Sequence, residues 1–372
     1  MRIAFNGLMV CFVVELLCVK IKKEVTYMQV MILAGGSGER FWPLSTSKTP
    51  KQFLKLFGEK SLIRHTYERL TGEVTPEDIY VVTSLQTREQ TIQEIPEIPE
   101  ENIIGEPLRK NTAAACFTGS LLAKDTSPIL VLPADHKIRE KERFWTYIRK
   151  AEQFVKKHEG LITFGIHPTR PETGYGYIET GEEVEASVYT VLKFHEKPEL
   201  SLAEKYIEMG NYYWNSGMFL WSKAFFLKQM LAYAPDVYNA LIGMNPLDSE
   251  ELTMHYEQVP AISIDYALME RSSHVQTMPI SLDWSDLGSW EAIKELAGPS
   301  NNSENICLVD SDNVYVRSET GKKIAIIGGC DGLIVVETNE GILICQEKSS
   351  QKVREAAKKF NNPNASEGLL KK

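Results

Sequence analysis

Leu33 to Ser45 reads LAGGSGERFWPLS directly after a short apolar run, and Pro50-Lys51-Gln52-Phe53 follows within a few positions. Glycines allow a backbone to approach a ligand closely, and successive N–H groups in such a turn form a concavity that accepts phosphate oxygens. Gly35, Gly36, Ser37, Gly38 and Glu39 are therefore a candidate nucleotide-phosphate loop, with Arg40 and Lys51 as candidate catalytic cations beside it. A triphosphate needs that charge, because a unit charge pair ~4 Å apart near a surface is worth about 4 kcal/mol. From Gly35 the wording lacks the G-K-[S/T] ending of a Walker A loop, and from Gly36 it lacks the third glycine of the dinucleotide fingerprint. A plain glycine turn with two solvated cations is the competing reading.

Two acidic positions are candidates for a metal. Ile129-Leu130-Val131-Leu132-Pro133 runs into Ala134-Asp135-His136, which sets Asp135 just past the carboxyl end of a buried strand, where open α/β sheets bind ligands. Asp286 lies in DWSDLGSW, Asp283 to Trp290, almost half the chain later. If the two carboxylates meet in space they suit Mg²⁺, which takes one or two protein oxygens together with phosphate. Each taken alone also fits a helix cap or a turn.

The elements that must position these residues follow from the rhythm of the chain. From Gln29 onward short apolar runs alternate with longer amphipathic stretches, which implies βαβ units around a mostly parallel sheet, an α/β fold. Strands are expected at Val30 to Leu33, Ile79 to Thr83, Ile129 to Leu132, Leu161 to Gly165 and Tyr189 to Phe194. Helices are expected at Ser61 to Leu70, Asn111 to Lys124, Glu140 to Lys157 and Leu200 to Glu208. Glu94 to Glu101 (EIPEIPEE) reads as a surface loop or edge outside the core. After Gly298-Pro299 come short β-rich runs separated by turns, a second and smaller β domain, closed by a basic amphipathic helix over Gln351 to Phe360. Its spacing of about ten residues suggests a β-coil but is too loose to define a repeat. The division is thus 1–27, 28–298 and 299–372.

Residues 1–27 carry an apolar run between one Arg and three Lys, without a small-residue cleavage site after it. A start codon placed too far upstream of Met28, an extra element and a secretory signal all fit. The run from Leu8 to Val19, broken by Glu15, is too short to span ~30 Å of hydrocarbon. Forty-one basic against fifty acidic side chains, a net charge of -9, argue against a protein held on nucleic acid by phosphate contacts. Six scattered cysteines without a C-x-x-C pair fit reduced thiols in a cytoplasm.

LAGGSGERFWP with PKQF, GEPLRKNTAAA (Gly105 to Ala115), LPADH, ETGYGYIE (Glu172 to Glu179), FHEKP (Phe194 to Pro198), YWNSGMFLW (Tyr213 to Trp221), SIDYALME (Ser263 to Glu270) and DWSDLGSW occur in that order. The series, covering about residues 28 to 346, resembles the bacterial mannose-1-phosphate guanylyltransferases, also called GDP-mannose pyrophosphorylases. The resemblance implies a Rossmann-like nucleotidyltransferase domain followed by a small β domain like a left-handed β-helix, used for packing and for contact within a homodimer. It implies GTP and mannose 1-phosphate as substrates, Lys51 reaching the phosphates, and Asn111 and Thr112 near the nucleotide. It further implies Asp135 and Asp286 on Mg²⁺, and Gly176, Glu196, Lys197 and Asn215 around mannose 1-phosphate. Without it, GYGY reads as a turn and WNSGMF as a buried strand. Phe41 and His195 stand where the family often has Leu and Val, and neither is an expected ligand. Longer members continue into a phosphomannose isomerase domain, so isomerase activity is not expected here.

The reaction so implied is direct attack by a phosphate oxygen of the sugar phosphate on the α-phosphorus of the nucleotide, needing positioning and charge stabilisation but no protein nucleophile. A transferase for glucose 1-phosphate with UTP or dTTP, and a nucleotide-binding regulator that performs no transfer, remain alternatives.

Overall fold

The computed structural model describes residues 28–361 apart from Ser37, Ser47 and Thr126. Segment 1–27 with Cys11 and Cys18, the candidate Ser37 and the last eleven residues lie outside the described residues.

The strands are β1 Gln29–Ala34, β2 Ile79–Ser84, β3 Ile103–Glu106, β4 Pro128–Pro133, β5 Lys137–Ile138, β6 Leu161–Ile166, β7 Tyr177–Glu185, β8 Val188–His195, β9 Tyr212–Ser222, β10 Val275–Ile280 and β11 Trp284–Ser285. Between and beside them lie helices α1 Leu62–Leu70, α2 Arg88–Glu94, α3 Asn111–Leu122, α4 Lys141–Lys157, α5 Leu200–Met209, α6 Lys223–Tyr233, α7 Pro235–Leu241, α8 Ser249–Gln258 and α9 Trp290–Ala297. Nine strands form one sheet in the order β3-β2-β1-β4-β9-β6-β10-β8-β7. β8 and β9 run against the rest, which makes the sheet mostly parallel.

A sheet covered by helices on both faces needs apolar side chains on both sides of its central strands. In β1, Val30, Ile32 and Ala34 enter one core and Met31 the other. In α4, Phe144, Trp145, Ile148, Ala151 and Val155 recur at helical spacing and bury one face on the sheet. One expectation needs correcting. The EIPEIPEE segment runs from the end of α2 to the approach to β3, and its Ile95 and Ile98 are buried in the main core while Pro96 and Glu97 face water.

Beyond residue 300 the chain forms β12 Ile306–Val309, β13 Tyr315–Ser318, β14 Ile324–Ile327, β15 Leu333–Thr338 and β16 Gly341–Gln346, closed by helix α10 Val353–Asn361. β12 pairs with β14 and β13 with β15, both in parallel. A coil turn therefore takes two strands, which is why a ten-residue period looked loose. This unit does not stand apart from the sheet domain. Tyr315, Ile334, Val336, Leu343 and Val353 share one core with Phe41 of the glycine loop and with Leu287, Trp290 and Ile293. Trp290 is fully buried, meets Phe41 edge-on at 5.3 Å between ring centroids, and donates its indole N–H to the Trp42 carbonyl at 3.2 Å. Trp290→Ala should therefore destabilise the chain by about 3–5 kcal/mol, read as a lower denaturant midpoint.

Candidate active site

The carboxyl ends of the parallel strands carry the site. Ala34 ends β1, and three contacts fasten the chain there: Gln52 donates to its carbonyl at 2.7 Å, Thr83 donates to the same oxygen at 3.1 Å, and the Ala134 N–H donates to the Leu33 carbonyl at 2.9 Å. The glycine loop and the Pro50 to Phe53 return are thereby clamped against β4. Gly38 takes a left-handed φ of 65°, where a side chain would be strained. A short 3₁₀ turn, Glu39–Phe41, follows it.

Asp135 and Asp286 come together through a two-stranded antiparallel pair. β5 pairs with β11 in the register Lys137 to Ser285 and Ile138 to Trp284, so the residues at that end, Asp135 and Asp286, line one cavity. That cavity holds about 350 Å³ and is also lined by Gly38, Glu39, Arg40, Lys51 and His136. Lys51 is 8% exposed, and its ammonium bonds Asp135 Oδ2 at 2.7 Å and the Asp286 carbonyl at 2.6 Å. Burial alone would raise the Asp135 carboxyl, but the Lys51 ammonium holds it below its ordinary value. Burial pushes His136 down to about 4, so this imidazole is neutral, and its Nδ1 accepts from the Trp284 indole at 3.3 Å. Asp286 is also the turn residue that its sequence allowed: its Oδ1 accepts from the Gly288 N–H at 2.8 Å. Arg40 points a guanidinium nitrogen at the Gly288 carbonyl, 3.5 Å away.

Two further cavities adjoin this one. The first, about 560 Å³, is lined by Gly35, Gly36, Asn111, Thr112 and Asp135 and reaches the end of β3 at Glu106. Asn111 adopts φ 68°, its Oδ1 accepts from the Thr112 N–H, and Thr112 Oγ1 accepts from the Ile264 N–H at 2.8 Å. These two residues thus shape the cavity wall through local bonds. Burial pushes Glu106 up to about 7, and its Oε1 accepts from the Tyr256 hydroxyl at 3.0 Å. The second, about 320 Å³, is lined by Gly176, Glu196, Asn215, Asp265 and Trp284 and shares Asp286 with the first-described cavity. Asn215 donates to Asp265 Oδ1 at 2.9 Å, and burial raises the Asp265 carboxyl. His195 lines this cavity too, bonded to Glu179 at 2.9 Å and to the Tyr206 hydroxyl at 3.0 Å.

The three cavities form one trough through shared walls: Asp135 belongs to two of them and Asp286 to two. Of the candidates, Gly35, Gly36, Gly38, Glu39, Arg40, Lys51, Asn111, Thr112, Asp135, Gly176, Glu196, Asn215 and Asp286 all line it. Lys197 does not. It stands at φ 37° next to Glu196, a residue of that wall, and its ammonium pairs with the Glu196 carboxylate. Sequence reasoning missed Glu106, Tyr256 and Asp265, although Glu106 and Asp265 sit in segments that it quoted. An acid closing an apolar strand, as Glu106 does, was the available signal. It also missed Arg354, which lines the cavity of Arg40 and Lys51 from α10.

The nucleotidyl transferase family model matches residues 29–301, the span that holds the mostly parallel sheet and the cation-and-carboxylate trough at its strand ends, so the chain is a nucleotidyl transferase. A model described as a MannoseP isomerase/GMP-like beta-helix domain matches residues 304–360. Mannose-1-phosphate guanylyltransferases of Klebsiella pneumoniae and of Escherichia coli (strain K12) are each 36% identical to this chain; the matches cover 88% and 89% of it and 72% and 73% of those proteins. A crystal structure from Thermus thermophilus, described as a mannose-1-phosphate geranyltransferase, superposes with a TM-score of 0.78 at 30% identity, covering 90% of this chain and 99% of that one. The chain belongs to the mannose-1-phosphate guanylyltransferase family. Among the described residues no helix is long and apolar enough to cross a membrane.

Proposed function

We propose that this chain transfers GMP from GTP to α-D-mannose 1-phosphate, giving GDP-mannose and pyrophosphate. The observation that carries this reading is three adjoining cavities, a base-sized one, a cation-lined one and a sugar-sized polar one, that share Asp135 and Asp286 as walls. A phosphate oxygen of the sugar phosphate attacks the α-phosphorus. As that O–P bond forms, the bond to the bridging oxygen breaks and its electron pair leaves with pyrophosphate. Both reactants are anions, so the protein's task is to position them and to offset charge. Lys51 and Arg40 do this at the phosphates, and the glycine-loop backbone holds them in place. Glu196 and Asn215 face the sugar hydroxyls, which their side chains can read. Lys197, paired with Glu196 at that cavity, can meet the sugar's phosphate.

Nucleotidyl transferases of this family generally use a divalent metal. The residues here fit one: two carboxylates on one cavity supply hard oxygen donors, and no group of three or more His, Cys, Asp or Glu among the described residues offers a full protein cage. That is the donor set of Mg²⁺, which is completed by water and phosphate. Asp135 and Asp286 would hold it, and when bound it would neutralise charge on the phosphates.

Glu106 supports the choice of GTP. Guanine presents an N–H and an exocyclic amino group side by side, and an ionised carboxylate accepts from both. Glu106→Gln should lower kcat/KM for GTP roughly tenfold to a hundredfold, with little change for other nucleotides. Because the carboxyl ionises near 7, kcat/KM for GTP should rise between pH 6 and pH 8 in the wild type, and this rise should vanish in the variant.

Pyrophosphate release from a panel of four nucleoside triphosphates and three sugar 1-phosphates tests the function. Release confined to GTP with mannose 1-phosphate is expected. Preference for UTP or dTTP with glucose 1-phosphate would establish the rival transferase, and binding without Mg²⁺-dependent release would establish a regulator. The four described cysteines are free, as in a reducing cytoplasm. Exposed Ile327, Ile342 and Ile344 on the small β unit favour its use as a homodimer contact, and the net charge of -9 disfavours nucleic acid as a partner.

A further inference from the structure

The last helix, α10, lies against the glycine loop. Val353 and Ala357 are buried on its inner side, and the Phe360 ring stacks on Trp42 with centroids 4.8 Å apart. This seating turns Arg354 toward the phosphate-side cavity, whose wall it shares with Arg40, Lys51, Asp135 and Asp286. Arg354 Nε bonds Glu39 Oε2 at 3.1 Å, and its side chain remains 53% exposed.

The cations around this cavity are differently committed. Lys51 is buried and bonded to the Asp135 carboxylate and the Asp286 carbonyl, so its position is fixed before a ligand arrives. Arg354 is held by one partly exposed carboxylate, and a solvent-accessible ion pair is weak enough to exchange for a more highly charged partner. A guanidinium also matches two phosphate oxygens with a fork of parallel N–H bonds, which an ammonium cannot do.

From this placement we infer that Arg354 binds the outer phosphates of the nucleoside triphosphate and the pyrophosphate product, releasing Glu39 as it does so. The inference rests on the guanylyl-transfer reading of the site. It makes the C-terminal unit part of the active site, since the leaving-group end of the reaction is then completed by a residue from its closing helix. Glu39, at the opposite side of the pair, acts as the placeholder that keeps Arg354 over the cavity until a phosphate displaces it.

The test uses the full chain in the reverse direction, with GDP-mannose and pyrophosphate as substrates. Arg354→Gln should raise KM for pyrophosphate on the order of tenfold while KM for GDP-mannose stays within about twofold, and Arg354→Lys should recover part of the loss. Glu39→Gln, which removes the competitor, should lower KM for pyrophosphate. If Arg354 were only an anchor for the helix, both Gln variants would break the same contact and shift the two KM values together, and that result would overturn the inference. So would an unchanged KM for pyrophosphate in Arg354→Gln. A wild type that forms no GTP and mannose 1-phosphate in this assay would instead sink the guanylyl-transfer reading itself, and the role of Arg354 with it.

Discussion

Lys51→Ala is expected to reduce turnover at least about a hundredfold, the cost of removing one charge that stabilises a transition state, about 2–4 kcal/mol. Lys51 is the cation nearest both acids, with its ammonium on the Asp135 carboxylate and on the Asp286 carbonyl. It therefore has two duties. It holds the segment after β4 and the segment after β11 in one cavity, and it brings positive charge to the phosphates. In the variant, Asp135 loses the partner that keeps it ionised against burial, so its carboxyl should titrate upward. Removing one member of such a pair also costs stability. A thermal melt measured beside single-turnover pyrophosphate release separates the two effects. A folded variant with near-normal turnover would remove Lys51 from the mechanism.

Gly38→Ala should be almost as damaging, for a steric reason. At φ 65° a Cβ on residue 38 would stand 2.6 Å from Ser45 Oγ and 2.7 Å from both the backbone nitrogen and Cβ of Lys51. Two of these atoms belong to the backbone or its first carbon, so relief requires the loop to move away from the Lys51 turn. The strained backbone alone costs about 1–3 kcal/mol, and a reacting group displaced by about 1 Å can lose a hundredfold in rate. Both kcat/KM and the melting temperature should fall. Gly36→Ala is the contrasting case, because a Cβ there would meet nothing within 4 Å. Its melting temperature should be unchanged, so any rise in KM for GTP would report a nucleotide lying against the backbone at that point.

How much of this was legible in the sequence depended on whether the signal was local. The glycine loop, the return through Lys51 and the strand leading to Asp135 are continuous stretches, and each lies where its own pattern sets it. The meeting of Asp135 with Asp286 was only a condition in the sequence. It is met by the short β5–β11 pair, too brief to show as a periodic pattern. Ile95 and Ile98 were hidden by the prolines and acids around them, since composition describes a segment's average and burial is decided residue by residue. Lys197 reads as a phosphate ligand by type, and it stands at a positive φ paired with Glu196, a neighbour that lines the cavity. Arg354 lies in the basic amphipathic helix that the sequence shows, but nothing local aims it at the glycine loop. Its place over the glycine loop follows from the shared core of Phe41, Trp290 and the C-terminal strands, which exists only once both units are packed.

In this site one anion displaces pyrophosphate from another in a single step, without a covalent bond to the protein. Turnover of a single diastereomer of GTP with sulfur in place of one nonbridging oxygen on its α-phosphorus, which makes that phosphorus chiral, tests this most directly. A single in-line displacement inverts the configuration there, whereas transfer through a protein nucleophile takes two displacements and restores it. Inversion in the GDP-mannose analogue formed is the predicted result; retention would contradict the account.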